Sequence, residues 1–498
     1  MVCVREILES GSLRFGTSGV RGLACDFDET ACHALLHGFL HRLASTEPSG
    51  QRRVIALGGD RRASTPAIVA SLAAAAEKLG FRSINLGVVP TPAIASWAMK
   101  RRIPAAMVTG SHIPADRNGI KLFGRAGEIG KDDELAILDA HVDGGARTSP
   151  TLPAIERADA GAAYVERYVR AFPEAALVGL RIGVYGHSAA GREHLCRVLE
   201  GLGARVELLG CSDTFVAVDT EALDARDIHL AASFARQGRF DAIVSTDGDG
   251  DRPLVSDERG VWLRGDVLGL LCARYVGAST VVTPITSSTA LEHARLCDEI
   301  VRTRVGSPYV VAAMAEAVRA GRRRVVGYEA NGGFLTASDL QLEDADACLP
   351  ALPTRDATIV ICAVLREARR HGLRVSELAR SIPPRFSKSG RLSGFPTELS
   401  ARRLARIRAE GIEGARRAFV GDTEAARSFD TTDGLRLVLA SGDVVHVRPS
   451  GNAPELRCYT EAASDARAAQ LLDETLGRLA RWRMGELPAT ADVSMPGH

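Results

Sequence analysis

A pattern repeated six times limits what this chain can fold into. A short β-branched or apolar run stops at a Gly-rich or polar loop, and an Ala/Leu-rich stretch of helical character follows. The runs are 54–57 before Gly58-Gly59-Asp60, 105–108 before Thr109-Gly110-Ser111-His112, and 181–185 before Gly186. They continue with 242–244 before Ser245-Thr246-Asp247, 280–282 before Thr283-Pro284, and 324–326 before Gly327-Tyr328-Glu329. Strands alternating with helices imply an α/β protein built of parallel βαβ units covered by helices. Such sheets bind ligands just beyond the C-terminal ends of their strands. The chemically richest motifs of the chain stand at those ends.

At ~150 residues per domain, 498 residues make three or four domains. The stretch from Gly144 to Pro150 reads as a loop between domains, and further seams are expected near Ser256-Asp257 and near Ser381-Ile382-Pro383-Pro384. The expected division is therefore 1–150, 151–256, 257–380 and 381–498. Beyond ~385 the short runs at 435–439 and 444–447 suggest a small α+β domain with antiparallel strands. The last ten residues or so are expected to fray.

Composition narrows the function. Apolar residues are 46% and charged residues 25%, which excludes disordered, collagen-like and coiled-coil classes. The net charge of +1 argues against a nucleic-acid or anionic-membrane partner, since either calls for a basic excess. Ten scattered cysteines without a C-x-x-C pair read as small buried hydrophobes in a reducing compartment. No signal peptide opens the chain and no apolar run approaches the ~20 residues of a membrane span, so a soluble, cytoplasmic protein is expected. Of the 62 basic residues only five are lysines: Lys78, Lys100, Lys121, Lys131 and Lys388. A lysine kept inside a motif therefore points to a need for that side chain's own chemistry.

Four motifs carry chemistry. In the loop Thr109-Gly110-Ser111-His112-Ile113-Pro114, followed by Asn118-Gly119-Ile120-Lys121, a serine is held at a fixed angle after a strand. It suits a nucleophile or phosphate carrier, or else a plain helix-capping turn. Lys121 favours the first reading, because a compact ammonium neutralises phosphate and can move a proton. The run Asp247-Gly248-Asp249-Gly250-Asp251-Arg252 places three carboxylates at alternate positions, as a hard divalent cation requires. A calcium loop of the EF-hand type fails on Arg252, which stands where that turn needs Gly. The stretch Arg448-Pro449-Ser450-Gly451-Asn452-Ala453-Pro454-Glu455-Leu456-Arg457 suits an anion cradle, although alone a polar turn explains it as well. Near the start, Phe15-Gly16-Thr17-Ser18-Gly19-Val20-Arg21-Gly22 again combines Gly, hydroxyls and Arg.

In this order and spacing the four motifs resemble those of the α-D-phosphohexomutases, the phosphomannomutase and phosphoglucomutase superfamily, nearly end to end. The resemblance implies three similar α/β domains with mixed, largely parallel sheets and a smaller C-terminal α+β domain around a central cleft. It implies that Ser111 is the phosphoserine, and that Asp247, Asp249 and Asp251 hold Mg²⁺ together with the phosphate on Ser111. Arg21, Lys121 and Arg252 would surround the reacting phosphoryl group, and Arg448, Ser450, Gly451, Asn452 and Arg457 would grip the other phosphate. His112 and Lys121 are the candidates for the general base. The implied reaction moves phosphate between the 6- and 1-positions of a hexose through a 1,6-bisphosphate, in a monomer or dimer whose partner is a small phosphosugar.

The chain departs from the family pattern at the sugar loop. Where relatives often carry G-E-x-S-G-H, it has Tyr328-Glu329-Ala330-Asn331-Gly332-Gly333, with Glu329 kept, Asn331 at the Ser position and Gly333 at the His position. Arg304 and Ser307 stand where some relatives have Lys and His, and T-A-S-H-N-P becomes T-G-S-H-I-P. The E-A-N-G-G form is most similar to a phosphomannomutase-type branch, with mannose phosphates as main substrates, glucose phosphates also accepted and a roomier pocket at Gly333. A phosphoglucomutase or phosphoglucosamine mutase is the alternative within the class, and a catalytically silent sugar-phosphate-binding protein the alternative outside it. His33, His37 and His41 share a helix face and read as a half-buried surface rather than a metal site, and Arg322-Arg323-Arg324 reads as a helix end or loop.

Overall fold

A computed structural model describes residues 2–16, 18–46, 52–142, 156–343, 345, 347–450 and 454–482. The stretch 144–150, residues Thr17, Gly451 and Asn452, and the C-terminal residues expected to fray lie outside the described residues. Two compact units divide the chain. The second comprises residues 285–293 and 303–305 with the chain from 383 onward, and the first comprises the rest.

Besides the two-stranded pair of Val2–Cys3 and His141–Val142, the first unit holds three sheets of related design. In the largest, Glu156–Arg157, Arg82–Val88, Val54–Gly59 and Ala105–Val108 run parallel, and Arg117–Gly124, Val20–Leu23 and Arg14–Phe15 continue it antiparallel. The second sheet orders Arg205–Cys211, Arg181–His187 and Ala242–Thr246 in parallel, then Pro253–Val255 antiparallel. The third orders Glu299–Thr303, Thr280–Pro284, Val325–Tyr328, Phe334–Thr336 and Leu352–Asp356, with the last two joined antiparallel. Central strands such as Ala242–Thr246 and Thr280–Pro284 are buried along their whole length, as parallel strands covered on both faces must be.

All six expected runs are strands, but only three of them lead directly to a helix. After Ala105–Val108, Ala242–Thr246 and Val325–Tyr328 the chain turns back as an antiparallel strand. The Ser111 loop, the Asp247 loop and the Glu329 loop are these three turns, at the same place in three sheets.

The second unit contains one antiparallel sheet, ordered Phe386–Ser393, Glu455–Ala462, Val444–Pro449, Leu435–Leu439 and Ala426–Asp430. Alternating burial along Leu435–Leu439 marks a sheet with one covered face. Leu437, Val445, Val447, Leu456 and Cys458 form its core with Phe419, Leu471 and Trp482 from the helices Gly411–Phe419 and Asp465–Arg481 and the residue that follows the latter.

Candidate active site

Ser111 sits at the tip of the first turn with φ 54°, a left-handed conformation that costs a non-glycine residue energy and persists only where its surroundings impose it. The imposing groups are visible. Ser111 N–H donates to Thr109 Oγ1 at 2.8 Å, and Thr109 Oγ1 donates to Asp60 Oδ2 at 2.8 Å. Buried Arg62 donates to four carbonyls of the loop: Ser111 (3.1 Å), Ile113 (2.6 Å), Pro114 (2.6 Å) and Arg117 (2.9 Å). Its Nε pairs with Asp60 at 3.2 Å and its guanidinium lies 3.8 Å above the Phe215 ring. A Cβ on Gly110 would fall 2.6 Å from Arg62 Cζ, so Gly in place of the family's Ala makes room for the guanidinium.

The second turn meets the first directly. Ser111 Oγ donates to Asp247 Oδ2 at 2.5 Å, while Asp247 Oδ1 accepts the N–H groups of Asp251 (3.1 Å) and Arg252 (3.2 Å) and so folds its own loop. Lys121 Nζ donates to Asp249 Oδ2 and Asp251 Oδ2, both at 2.6 Å, and Thr91 Oγ1 donates to Asp249 Oδ2 at 2.6 Å. The Oδ1 atoms of Asp249 and Asp251 are buried without a hydrogen-bond partner. Buried carboxylate oxygens left bare are costly, and such exceptions call for a cause. Ligand atoms of the three aspartates lie within 4.8 Å of one another, the one such cluster among the described residues. Bare, hard oxygen donors at this spacing fit a divalent metal ion, so this is a metal site.

Charge is concentrated here. Burial and the two neighbouring carboxylates push the Asp247 carboxyl well above the usual range. Burial acts the same way on Asp249 and Asp251, but Lys121 for the first, and Arg355 with Lys121 for the second, outweigh it and hold both carboxyls below the usual range. Burial works against the Lys121 ammonium, yet the two aspartates raise its pKa, so it stays charged. Burial, Arg252 and Arg21 push the His112 imidazole down to about 2, leaving it neutral with Nδ1 3.3 Å from Ser111 Oγ. Burial, Arg252 and Arg355 lower Arg21 to about 10. Carboxylates offset the repulsion for Arg252 and Arg355 and raise both, so Arg21 is the guanidinium of the three that gains most from a nearby anion such as a phosphoryl group.

The third turn joins through Arg355, whose Nη1 donates to Glu329 Oε2 at 2.8 Å. Asn331 Oδ1 accepts the Gly333 N–H at 2.9 Å and its Nδ2 lies 3.4 Å from Glu329 Oε2. Asn331 is therefore a brace of its own loop, not a side chain with both polar groups open to a sugar. The roomier edge expected at Gly333 is also corrected: a Cβ there would lie 2.5 Å from Arg355 Cδ, so the arginine stem already fills that space.

In the second unit Arg448 stands directly opposite Arg457, and Arg457 opposite Arg391 on the next strand. Directly opposed residues share a face, and like charges there repel. Asp433 takes Arg448 Nε at 3.2 Å, while Glu455 takes Arg391 at 3.3 Å and Arg457 at 3.5 Å. Ser450 N–H donates to the Glu455 carbonyl at 2.8 Å.

Similarity to known proteins decides the family. Models of the phosphoglucomutase/phosphomannomutase family match along the chain: α/β/α domain I at residues 12–144, domain II at 162–260, domain III at 264–386 and the C-terminal domain at 399–477. A phosphomannomutase of Sinorhizobium fredii is 41% identical over 94% of this chain and 98% of its own length. A phosphomannomutase of Salmonella muenchen is 39% identical over 95% and 97%. The chain belongs to the phosphoglucomutase/phosphomannomutase family. Its activity is that of a phosphosugar mutase. A family structure from Burkholderia thailandensis has the same fold, with a TM-score of 0.73 at 20% identity over 98% of this chain and 99% of that one. No helix among the described residues is long and apolar enough to cross a membrane.

Within this phosphosugar mutase the structure brings Ser111, His112, Lys121, Arg21, Arg252 and the three aspartates together, with Glu329 reached through Arg355. Arg62, Asp60, Thr91, Arg355 and Arg391 were not singled out by sequence. Asp60 and Arg62 do follow a strand that ends in Gly-Gly, the same signal that marks Ser111. Arg355 and Arg391 lie inside strands where no motif distinguishes them.

Proposed function

We propose that this mutase interconverts hexose 6-phosphates and hexose 1-phosphates, mannose foremost and glucose as well, with Ser111 carrying the phosphoryl group in a Mg²⁺-dependent cycle. The observation that carries the reading is the 2.5 Å contact of Ser111 Oγ with a carboxylate cluster that keeps two bare oxygens. A phosphate on Ser111 adds roughly two negative charges beside three aspartates, an arrangement that needs a cation. Asp247, Asp249 and Asp251 would hold the Mg²⁺, which supplies charge neutralisation for the transferring group.

The chain's own groups do the rest. In the first transfer the bond from phosphorus to Ser111 Oγ breaks as a bond to the free sugar hydroxyl forms. The proton of that hydroxyl leaves by way of His112 or Lys121, the two candidate bases, and Ser111 Oγ takes up a proton as it is released. Arg21 and Arg252 neutralise the phosphoryl oxygens, since this chemistry asks mainly for position and charge. The resulting hexose 1,6-bisphosphate, also the activator, presents its other phosphate to Ser111 in the second transfer. Arg448, Ser450, Gly451, Asn452 and Arg457 grip the phosphate that is not reacting. The four domains 1–150, 151–256, 257–380 and 381–498 supply, in turn, the phosphoserine, the metal ligands, the sugar loop and this phosphate grip.

The test is a comparison of kcat/KM for mannose, glucose and glucosamine 1-phosphates on one preparation. Mannose 1-phosphate is expected to lead and glucose 1-phosphate to follow. A preference for glucosamine 1-phosphate, or no turnover of mannose 1-phosphate, overturns the assignment of the sugar.

A further inference from the structure

Arg355 belongs to none of the three turns, yet it fastens two of them together. It stands on the strand Leu352–Asp356 with its side chain 4% exposed. Nε and Nη2 donate to Asp251 Oδ2 at 3.0 and 2.7 Å, and Nη1 donates to Glu329 Oε2 at 2.8 Å. With Lys121 on the same atom, Asp251 Oδ2 is fully engaged, and the bare Oδ1 is the oxygen left for a metal. The stem meanwhile occupies the place of a side chain at Gly333. A planar fork can span two carboxylates in one rigid arrangement, which a single ammonium cannot reproduce. A buried charge bound to two partners also leaves neither carboxylate free to turn.

We propose that Arg355 is a positioning residue that locks the sugar-loop carboxylate Glu329 and the metal carboxylate Asp251 into one unit, and that supplies from a neighbouring strand the bulk and charge missing at Gly333. The proposal rests on the mutase reading above and makes sugar recognition and metal affinity depend on one side chain.

Four variants of the full chain test it: R355K, R355Q, E329Q and the double variant R355Q/E329Q. Binding of Mg²⁺ alone and of mannose 1-phosphate is measured by calorimetry, and KM and kcat by steady-state assay. R355K and R355Q are each expected to weaken sugar-phosphate binding about tenfold and Mg²⁺ binding at least about threefold. E329Q should weaken sugar-phosphate binding by a similar factor and leave Mg²⁺ binding within about twofold of the parent. The double variant should bind the sugar phosphate no worse than R355Q. R355K keeps the buried positive charge, so it reports even if R355Q does not fold. Parent-like binding of both ligands by R355K overturns the proposal, as does a double variant whose sugar loss is the product of the single losses. If the parent itself neither binds nor converts any hexose 1-phosphate, the mutase reading falls, and the Mg²⁺ titrations still decide whether Arg355 sets Asp251.

Discussion

The charged groups around Ser111 and those of the arginine row in the second unit are built on opposite plans. Around Ser111, Lys121 is 2% exposed, Arg355 4% and the aspartates 1% or less, and each carboxylate is tied to a cation or to the backbone. Along the row, Arg391 is 65% exposed, Arg457 35% and Arg448 12%, with carboxylates at 3.2 to 3.5 Å. Buried, cross-linked charges act at low dielectric with no reorganisation when charge moves, which suits a reacting phosphoryl group. Exposed arginines are screened by salt and free to adjust, which suits a grip that must take either phosphate of a turning intermediate. On the reading proposed above, one reaction needs rigidity at one anion site and tolerance at another.

Variants sharpen this contrast, the largest effects belonging to the buried site. Ser111→Ala should lower kcat by at least ~10³-fold, with the melting temperature kept and no rescue by added hexose 1,6-bisphosphate. Asp249→Asn removes a partner of Lys121 and Thr91 and should weaken Mg²⁺ binding on the order of 100-fold, read by calorimetry. Arg62→Ala removes the cation paired with buried Asp60 and a donor to four loop carbonyls. Urea denaturation should show a loss of about 3–5 kcal/mol. In the second unit Arg457→Ala should instead raise KM about tenfold with kcat within about twofold, and the effect should shrink as salt is added. A kcat collapse in Arg457→Ala, or a mere KM change in Asp249→Asn, would erase the contrast.

One further effect is in pH. Burial lowers His446 to about 4, below the ~6.5 of an unfolded histidine. Its contribution to stability is full above pH ~6.5. As pH falls toward 4 the unfolded chain takes up a proton that the folded one refuses, so stability drops by at most about 1.4 kcal/mol per pH unit from this group. Denaturation midpoints of His446→Gln should fall less over that range than those of the parent.

Much of the buried site was legible because its chemistry is local in sequence. Three aspartates at alternate positions and a rare lysine ten residues after a loop serine need no tertiary information to be suspected. The helix expected after the Ser111 loop was not found, because a run of apolar residues does not reveal whether the next element crosses over or returns. Arg62 and Arg355 were illegible for a different reason. Their function is to donate to carbonyls and carboxylates distant in sequence, and among so many arginines neither stands out. Gly333 read as empty space, since only the fold brings the Arg355 stem against it.

The account turns on phosphate at Ser111. The most direct measurement is the intact mass of the protein after incubation with hexose 1,6-bisphosphate, followed by peptide mapping. A mass increment of ~80 Da that maps to Ser111, is absent from Ser111→Ala and disappears on incubation with excess hexose monophosphate is the predicted result. No increment, or one that maps to another residue and survives in Ser111→Ala, would contradict it.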